Sequence, residues 1–209
     1  LFSDHFGQTT IESLKIPFAC IATDIEDGTE VIVDRGSIAT AVRASVSIPG
    51  IFSPVRDQNR FLVDGAVSNP LPVDVCRKMG MDIVIAVNLN HQVATKNSLS
   101  AGQSIVSPSE SETRILKKLA RPYRQQRQHR ESRHPKPSIF NVIENTIHII
   151  ERKITESNLT IHKPDILIEP DLGDFKLFDF DRGQQAISEG YRKTIAILPL
   201  LNSLMTSTN

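Results

Sequence analysis

The sequence predicts an α/β layered domain with a largely parallel sheet. Short runs of β-branched and apolar residues alternate along the chain with segments whose apolar residues recur at helical spacing. This alternation is typical of βαβ units, in which successive strands run parallel. With 209 residues, 39% hydrophobic and 23% charged, the chain has the size and composition of one globular domain.

The first predicted elements are a hairpin and a helix. Residues 15–33, KIPFACIATDIEDGTEVIV, contain two β-rich runs around the Asp27-Gly28 pair, which favours a tight turn. Ser37 is a suitable N-cap for a helix rich in alanine, and Pro49 is expected to end it.

A short strand, a short helix and a longer strand are predicted next. Residues 61–63 are an apolar strand. Pro72 suits the first turn of a helix and Gly80 its C-terminal end, which predicts a helix over 72–79. Residues 81–89, MDIVIAVNL, are the continuous apolar run expected of a strand covered on both faces.

Two helices and a strand are predicted after residue 138. One face of a long helix is indicated by apolar residues at three- and four-residue steps: Phe140, Ile143, Ile147, Ile150 and Ile154. His148 lies among them and is interpreted as a partly buried histidine, not as a ligand or base. Residues 164–172, PDILIEPDL, are a second buried strand, and Asp181 is expected to cap the last helix.

The segment 92–138 differs from the rest in composition. Ser, Gln, Arg and Pro predominate there, which predicts a flexible basic insertion at the surface. Within residues 113–136 lie nine basic residues: Arg114, Lys117, Lys118, Arg121, Arg124, Arg127, Arg130, Arg133 and Lys136. Only Glu131 opposes them, so this tract carries about +8 and the remainder about −8.

Three interpretations of the tract are open. It is a solvated loop, it binds the anionic headgroups of a membrane surface, or it binds nucleic acid. Each cation near an anionic bilayer contributes about 1 kcal/mol, which would suit an enzyme of membrane lipids. The tract has no repeated interleaving of aromatic and basic residues that would support base stacking, so a nucleic-acid partner is not expected.

Several kinds of site lack their motifs. The sequence contains no G-x-G-x-x-G, no G-x-x-x-x-G-K-[ST], no H-E-x-x-H and no Cys/His pairs at zinc spacing, so no metal or organic cofactor is predicted. Cys20 and Cys76 are interpreted as buried thiols, and not as a disulfide bridge or a nucleophile, which favours a reducing compartment. The longest apolar run, IAILPLL, is far shorter than a membrane span. A cytoplasmic protein, with peripheral membrane attachment as an alternative, is expected.

Three segments together resemble the patatin-like family of lipid acyl hydrolases, in particular its bacterial members. They are PFACIATDIEDG (17–28), ATAVRASVSIPGIFSPV (39–55) and FLVDGAVSNPLPVDVCRKMGMDIVIAV (61–87). The third contains the family's D-G-[GA] motif as Asp64, Gly65 and Ala66. The segment KPDILIEPDL and the Gly190-Tyr191 pair fit the same pattern.

The resemblance implies the C-terminal part of an incomplete three-layer α/β/α patatin-like domain spanning residues 1–209. It implies a phospholipase or esterase with a Ser-Asp dyad, in which a serine in G-x-S-x-G attacks the ester and an aspartate activates it directly. Only the aspartate matches a residue here, Asp64. The serine and the glycine-rich oxyanion loop are expected ahead of Leu1, on a truncated part of the polypeptide or on a separate N-terminal half. The chain alone is then inactive.

Residue chemistry agrees with Asp64 as a base. Apolar neighbours at a strand end raise a carboxylate's pKa, and Gly65 leaves room for a hydroxyl to approach. The alternative for Asp64 is a turn aspartate. Asn69 is expected to hold the loop by a hydrogen bond, while Ser45 and Ser47 are assigned to helix packing and not to nucleophilic attack.

Two further alternatives complete the sequence-based hypotheses. Asp24 and Asp27 are interpreted as turn residues and not as an acid pair. The whole chain is either part of a hydrolase acting on a lipid or acyl ester, or a catalytically inactive relative that binds a membrane or a partner.

Overall fold

The structure is a computed structural model that describes residues 6–91, 139–175 and 179–207. The chain divides into two compact units, residues 1–98 with 143–209 and residues 99–142. Every strand described below belongs to the first unit. The basic insertion predicted over 92–138 lies outside the described residues.

The larger sheet has four strands: β1 (Cys20–Asp24), β2 (Glu30–Val33), β3 (Val55–Asp57) and β4 (Arg60–Asp64). Their order is β2-β1-β4-β3, and every neighbouring pair is antiparallel. The largely parallel sheet predicted from the sequence is therefore not confirmed. Residues 25–29 and 58–59 join adjacent strands directly, and a parallel crossover needs a dozen or more residues.

The turn between β1 and β2 confirms the predicted hairpin. Asp24 Oδ1 accepts a hydrogen bond from the Glu26 amide at 3.0 Å, and Asp27 Oδ1 accepts one from the Thr29 amide at 2.9 Å. Gly28 has a φ of 76°, which a glycine adopts without steric cost. The two aspartates thus stabilise the turn, as predicted from their positions.

Helix α1 (Ile38–Ser45) covers the centre of this sheet. The Ser37 side chain accepts a hydrogen bond from the Thr40 amide, which confirms the predicted N-cap. The helix buries Ile38, Ala41 and Ala44. These small residues let α1 approach β1 and β4, and Ala44 packs with Ala22, Val31 and Leu62. The helix ends at Ser45, four residues before Pro49.

A second, smaller sheet consists of two parallel strands, β5 (Ile85–Val87) and β6 (Ile166–Ile168). Helix α2 (Val73–Lys78) precedes β5, and its apolar side packs with the strand in a cluster of Leu71, Val73, Val84 and Ala86. The prediction that this strand is covered on both faces is not confirmed, because Ile85 and Val87 are 43% and 46% exposed.

Two long helices complete the fold, α3 (Ile139–Ile161) and α4 (Gly183–Ser207). Asp181 lies in a 3₁₀ turn, Phe180–Arg182, so the prediction that it caps α4 is wrong. Within the described ranges, no helix is long and apolar enough to cross a membrane.

Candidate active site around Asp64

The backbone of Asp64 is held on both sides. Asp64 is the last residue of β4, where it pairs with Ala22, and a 3₁₀ turn (Gly65–Val67) follows it directly. Its amide donates to the Ser47 carbonyl at 3.0 Å, and its carbonyl accepts from Thr23 Oγ1 at 2.9 Å. These contacts fix the position from which the Asp64 side chain emerges.

The carboxylate of Asp64 is half-buried and only partly engaged. Its Oδ1 accepts from the Ala66 amide at 2.9 Å and so caps the 3₁₀ turn. No second hydrogen bond reaches this carboxylate from the part of the chain that the structure describes, which leaves Oδ2 available. Burial raises the pKa of Asp64 above its ordinary value, the Ala66 N–H opposes this, and the negative charge of Glu151 adds to the increase.

Gly65 is required by a close backbone approach. A Cβ at this position would stand 2.2 Å from the Ile21 carbonyl oxygen and 2.5 Å from its carbon. The turn after Asp64 therefore lies directly against β1, and only a glycine fits there. This contact fixes the location of the carboxylate relative to the sheet.

Asn69 joins the site to three other elements. It is 6% exposed, and its amide donates to the Gly65 carbonyl at 2.9 Å. Its side-chain nitrogen donates to Glu30 on β2 and to Asp74 on α2, the latter at 2.9 Å, while its oxygen accepts from Asn158 on α3 at 3.3 Å. The expectation that Asn69 holds the loop is confirmed.

Ser47 is buried and has a structural role. It is 0% exposed, its Oγ donates to the Arg43 carbonyl at 2.6 Å, and it also accepts from the Arg43 guanidinium. Its hydroxyl is thus inaccessible, which agrees with its rejection as a nucleophile, although it lies beyond the end of α1. Its carbonyl is the group that holds the Asp64 amide.

Glu151 is a charged residue whose influence on the site was not predicted from the sequence. Its Oε2 accepts from Asn90 Nδ2 at 3.2 Å and lies 3.4 Å from His148 Nδ1. The Glu151 and His148 side chains are only 12% and 20% exposed, so the half-buried His148 is as predicted. The hydrogen bond to Glu151 raises the pKa of His148 despite its burial. Because Asp64 and Glu151 are 87 positions apart, no local pattern could have linked them.

Other candidate sites do not include Asp64. An open apolar pocket is formed by residues 14–18 alone. Cys20 and Cys76 are both unpaired; Cys20 is buried as predicted, whereas Cys76 is only partly buried. Burial raises the pKa of the Cys20 thiol, which makes it a poor nucleophile. Within the described residues, no three His, Cys, Asp or Glu side chains are grouped to hold a metal ion.

Comparison with known proteins confirms the resemblance seen in the motifs. Residues 1–77 match the family model of patatin-like phospholipase. An uncharacterized NTE family protein of Mycobacterium tuberculosis is 40% identical over 87 residues, 42% of this chain and 24% of the relative. Mouse patatin-like phospholipase domain-containing protein 7 is 37% identical over 95 residues, 44% of this chain and 7% of the relative.

A third relative is the neuropathy target esterase sws of Drosophila melanogaster, 36% identical over 91 residues, which are 43% of this chain and 6% of the relative. The matched stretch thus spans about a quarter of the mycobacterial relative and less than a tenth of the two animal ones. The resemblance is therefore to patatin-like and NTE family proteins, and it concerns the matched residues.

Proposed function

Since residues 1–77 match the family model of patatin-like phospholipase, we propose that Asp64 is the general base of a serine lipid acyl hydrolase. In this proposal the nucleophilic serine and the oxyanion loop lie N-terminal to Leu1 in the same polypeptide or on a separate chain. The substrate is a carboxylic ester of a phospholipid or related lipid. The observation that carries the proposal is a half-buried carboxylate with one oxygen held by Ala66 and the other available.

The proposed chemistry requires one proton acceptor at a fixed place. The serine Oγ gives its proton to Asp64 Oδ2 as it attacks the ester carbonyl carbon, and backbone N–H groups of the oxyanion loop stabilise the oxyanion. Asp64 then returns the proton to the leaving alcohol, which forms an acyl-enzyme. Water, deprotonated by the same carboxylate, releases the fatty acid. The raised pKa makes Asp64 a stronger base at neutral pH than an ordinary aspartate.

The position of the base is supported by the contacts of the turn. The Ala66 N–H orients the carboxylate, and the Thr23 and Ser47 contacts hold the backbone on either side. A carboxylate that is already held in place loses little conformational entropy when the substrate binds, and this favours proton transfer.

The test uses the complete natural protein, including the segment or separate chain that carries the proposed serine. Asp64→Asn keeps the shape and the Ala66 contact but removes the base, so we expect kcat on a p-nitrophenyl ester and on phosphatidylcholine vesicles to fall at least ~100-fold. Asp82→Asn is the matched control, because Asp82 is exposed and, among the described residues, only its backbone carbonyl accepts a hydrogen bond, from Arg77. Full turnover by Asp64→Asn refutes the assignment. An inactive wild type that also resists fluorophosphonates indicates a non-catalytic module instead.

The basic tract 113–136 supplies a proposed partner, an anionic membrane surface. This part of the proposal rests on the charge of the sequence alone, about +8 over 24 residues. Deleting 113–136 should abolish sedimentation with phosphatidylserine vesicles and leave turnover of a soluble ester unchanged. Equal sedimentation with and without the tract would identify it as a solvated loop.

A further inference from the structure

A pair of hydroxyl groups contacts the turn that follows Asp64. Thr23, on β1, is 1% exposed, and its Oγ1 lies 2.9 Å from the Asp64 carbonyl oxygen and 2.8 Å from Ser68 Oγ. Ser68 directly follows the 3₁₀ turn, and this pair of hydroxyls is part-buried. The two residues are 45 positions apart in the sequence, and they meet because the turn lies directly against β1 at Gly65.

The direction of these hydrogen bonds follows from the number of protons. A hydroxyl carries one proton, and a carbonyl oxygen only accepts. Thr23 therefore donates its proton to the Asp64 carbonyl, so Ser68 is the donor in the contact between the two hydroxyls. Ser68 Oγ also lies 3.3 Å from the Gly65 carbonyl oxygen, which is long for an O–H···O bond. The chain of donors thus runs from Ser68 through Thr23 to the backbone of Asp64.

The carbonyl that Thr23 holds belongs to the peptide group between Asp64 and Gly65. The next peptide group carries the Ala66 N–H, which donates to Asp64 Oδ1 at 2.9 Å. Because each peptide group is planar and rigid, a rotation of the first one would move the Ala66 N–H away from Oδ1. The Thr23 hydroxyl therefore acts on the orientation of the carboxylate through the backbone, although its own hydrogen bonds go to the Asp64 carbonyl and to Ser68.

Burial makes the Thr23 hydroxyl hard to replace. At 1% exposure, water has no access to the position that the hydroxyl occupies, and a buried acceptor that loses its donor keeps the whole cost of its desolvation. Thr155, on α3, is similarly buried at 2% exposure, but its Oγ1 has no hydrogen-bond partner among the described residues. Of these two threonines, only Thr23 is bonded to the Asp64 turn, so Thr155 is a matched control.

We propose that the Thr23–Ser68 hydroxyl pair positions the Asp64 carboxylate. Ser68 orients the Thr23 hydroxyl, Thr23 fixes the peptide group after Asp64, and that peptide group presents the Ala66 N–H to Oδ1. Thr23 is thus a positioning residue, and Oδ2 remains the oxygen that accepts the proton. The catalytic consequence rests on the function proposed above, whereas the orientation of the carboxylate does not.

The decisive experiment is amide hydrogen exchange of Ala66, followed by ¹⁵N NMR in this 209-residue chain. Thr23→Val keeps the shape and removes the donor, so we expect Ala66 to exchange about tenfold faster. The amides of α1 serve as the internal reference, because a general loss of stability would expose them as well. Thr23→Ser keeps the hydroxyl and should restore the exchange rate to within about twofold of the wild type. Thr155→Val should leave Ala66 unchanged.

An Ala66 exchange rate that rises no more in Thr23→Val than in Thr155→Val, or no more than the α1 amides do, overturns the proposal. If Thr23→Val does not fold, Ser68→Ala decides. This change removes only the donor that orients Thr23, so we expect Ala66 to exchange about threefold faster, and an unchanged rate is equally fatal.

Activity provides the second measurement, made on the complete natural protein. Thr23→Val should lower kcat on a p-nitrophenyl ester about tenfold with little change in KM, and Thr23→Ser should restore it. Faster exchange of Ala66 together with an unchanged kcat would overturn the catalytic consequence. Faster exchange in a complete protein without hydrolase activity would remove the proposed function and leave the positioning of the carboxylate intact.

Discussion

Replacing Gly65 by alanine tests how closely the Asp64 turn lies against the sheet. The added Cβ would stand 2.2 Å from the Ile21 oxygen, 2.5 Å from its carbonyl carbon and 2.8 Å from its Cβ, where ordinary contacts begin near 3.4 Å. Relief requires a movement of about 1 Å by the turn or by β1. Because β1 is hydrogen-bonded to strands on both sides, the turn is the element that moves.

The magnitude follows from these contacts. Inserting one methyl group into a packed site costs about 1–3 kcal/mol, and a clash with main-chain atoms belongs at the upper end. A displaced turn also weakens the Ala66 and Thr23 hydrogen bonds to Asp64, each contributing about 1 kcal/mol. We expect Gly65→Ala to lower the free energy of unfolding by about 3 kcal/mol, which for a chain of this length lowers Tm by roughly 6–12 °C.

Urea denaturation followed by circular dichroism measures this change, with Gly190→Ala as the control. Gly190 lies inside α4, and a Cβ there meets nothing within 4 Å, so alanine should stabilise the helix by about 0.5–1 kcal/mol. The two glycine-to-alanine changes thus have opposite expected signs. If Gly65→Ala unfolds within about 0.5 kcal/mol of the wild type, the turn is not confined as described.

Three other predictions concern stability. Asn69→Asp places a third carboxylate against Glu30 and Asp74, so we expect the free energy of unfolding to fall by about 3 kcal/mol at neutral pH. The loss should shrink on acidification, as measured by urea denaturation at neutral and at acidic pH. Equal stability of the variant and the wild type at neutral pH would contradict the prediction. The pKa of Asp64 is raised in the folded state, so the protonated carboxyl favours folding and its ionisation opposes folding. The wild type therefore loses this contribution to its free energy of unfolding as pH rises through the carboxyl range. Asp64→Asn should therefore melt above the wild type at pH 7 and together with it near about pH 3, and a constant difference across this range would argue against the raised pKa. Ser37→Ala should cost about 1 kcal/mol through the lost N-cap, and an unchanged Tm would show that the cap is dispensable.

The local elements of the fold were predictable because their causes are local. The Asp27-Gly28 turn, the Ser37 cap and the helical spacing after residue 139 each depend on residues a few positions apart, and each prediction is confirmed. The D-G-A motif likewise located the Asp64 turn. By contrast, the larger sheet is antiparallel because short loops join neighbouring strands directly. The alternation of strand and helix patterns along the sequence did not reveal this.

The sequence by itself determined the hairpin, the Ser37 cap, the turn at Asp64 and the resemblance of the first 77 residues to patatin-like phospholipases. Only the tertiary structure decided that Gly65 must lie against Ile21 and that burial, with the charge of Glu151, raises the pKa of Asp64. The physical reason is the separation along the chain between the residues that interact. Turn and cap preferences are set by neighbouring backbone and side-chain atoms, whereas burial and charge at Asp64 depend on which distant surfaces pack together.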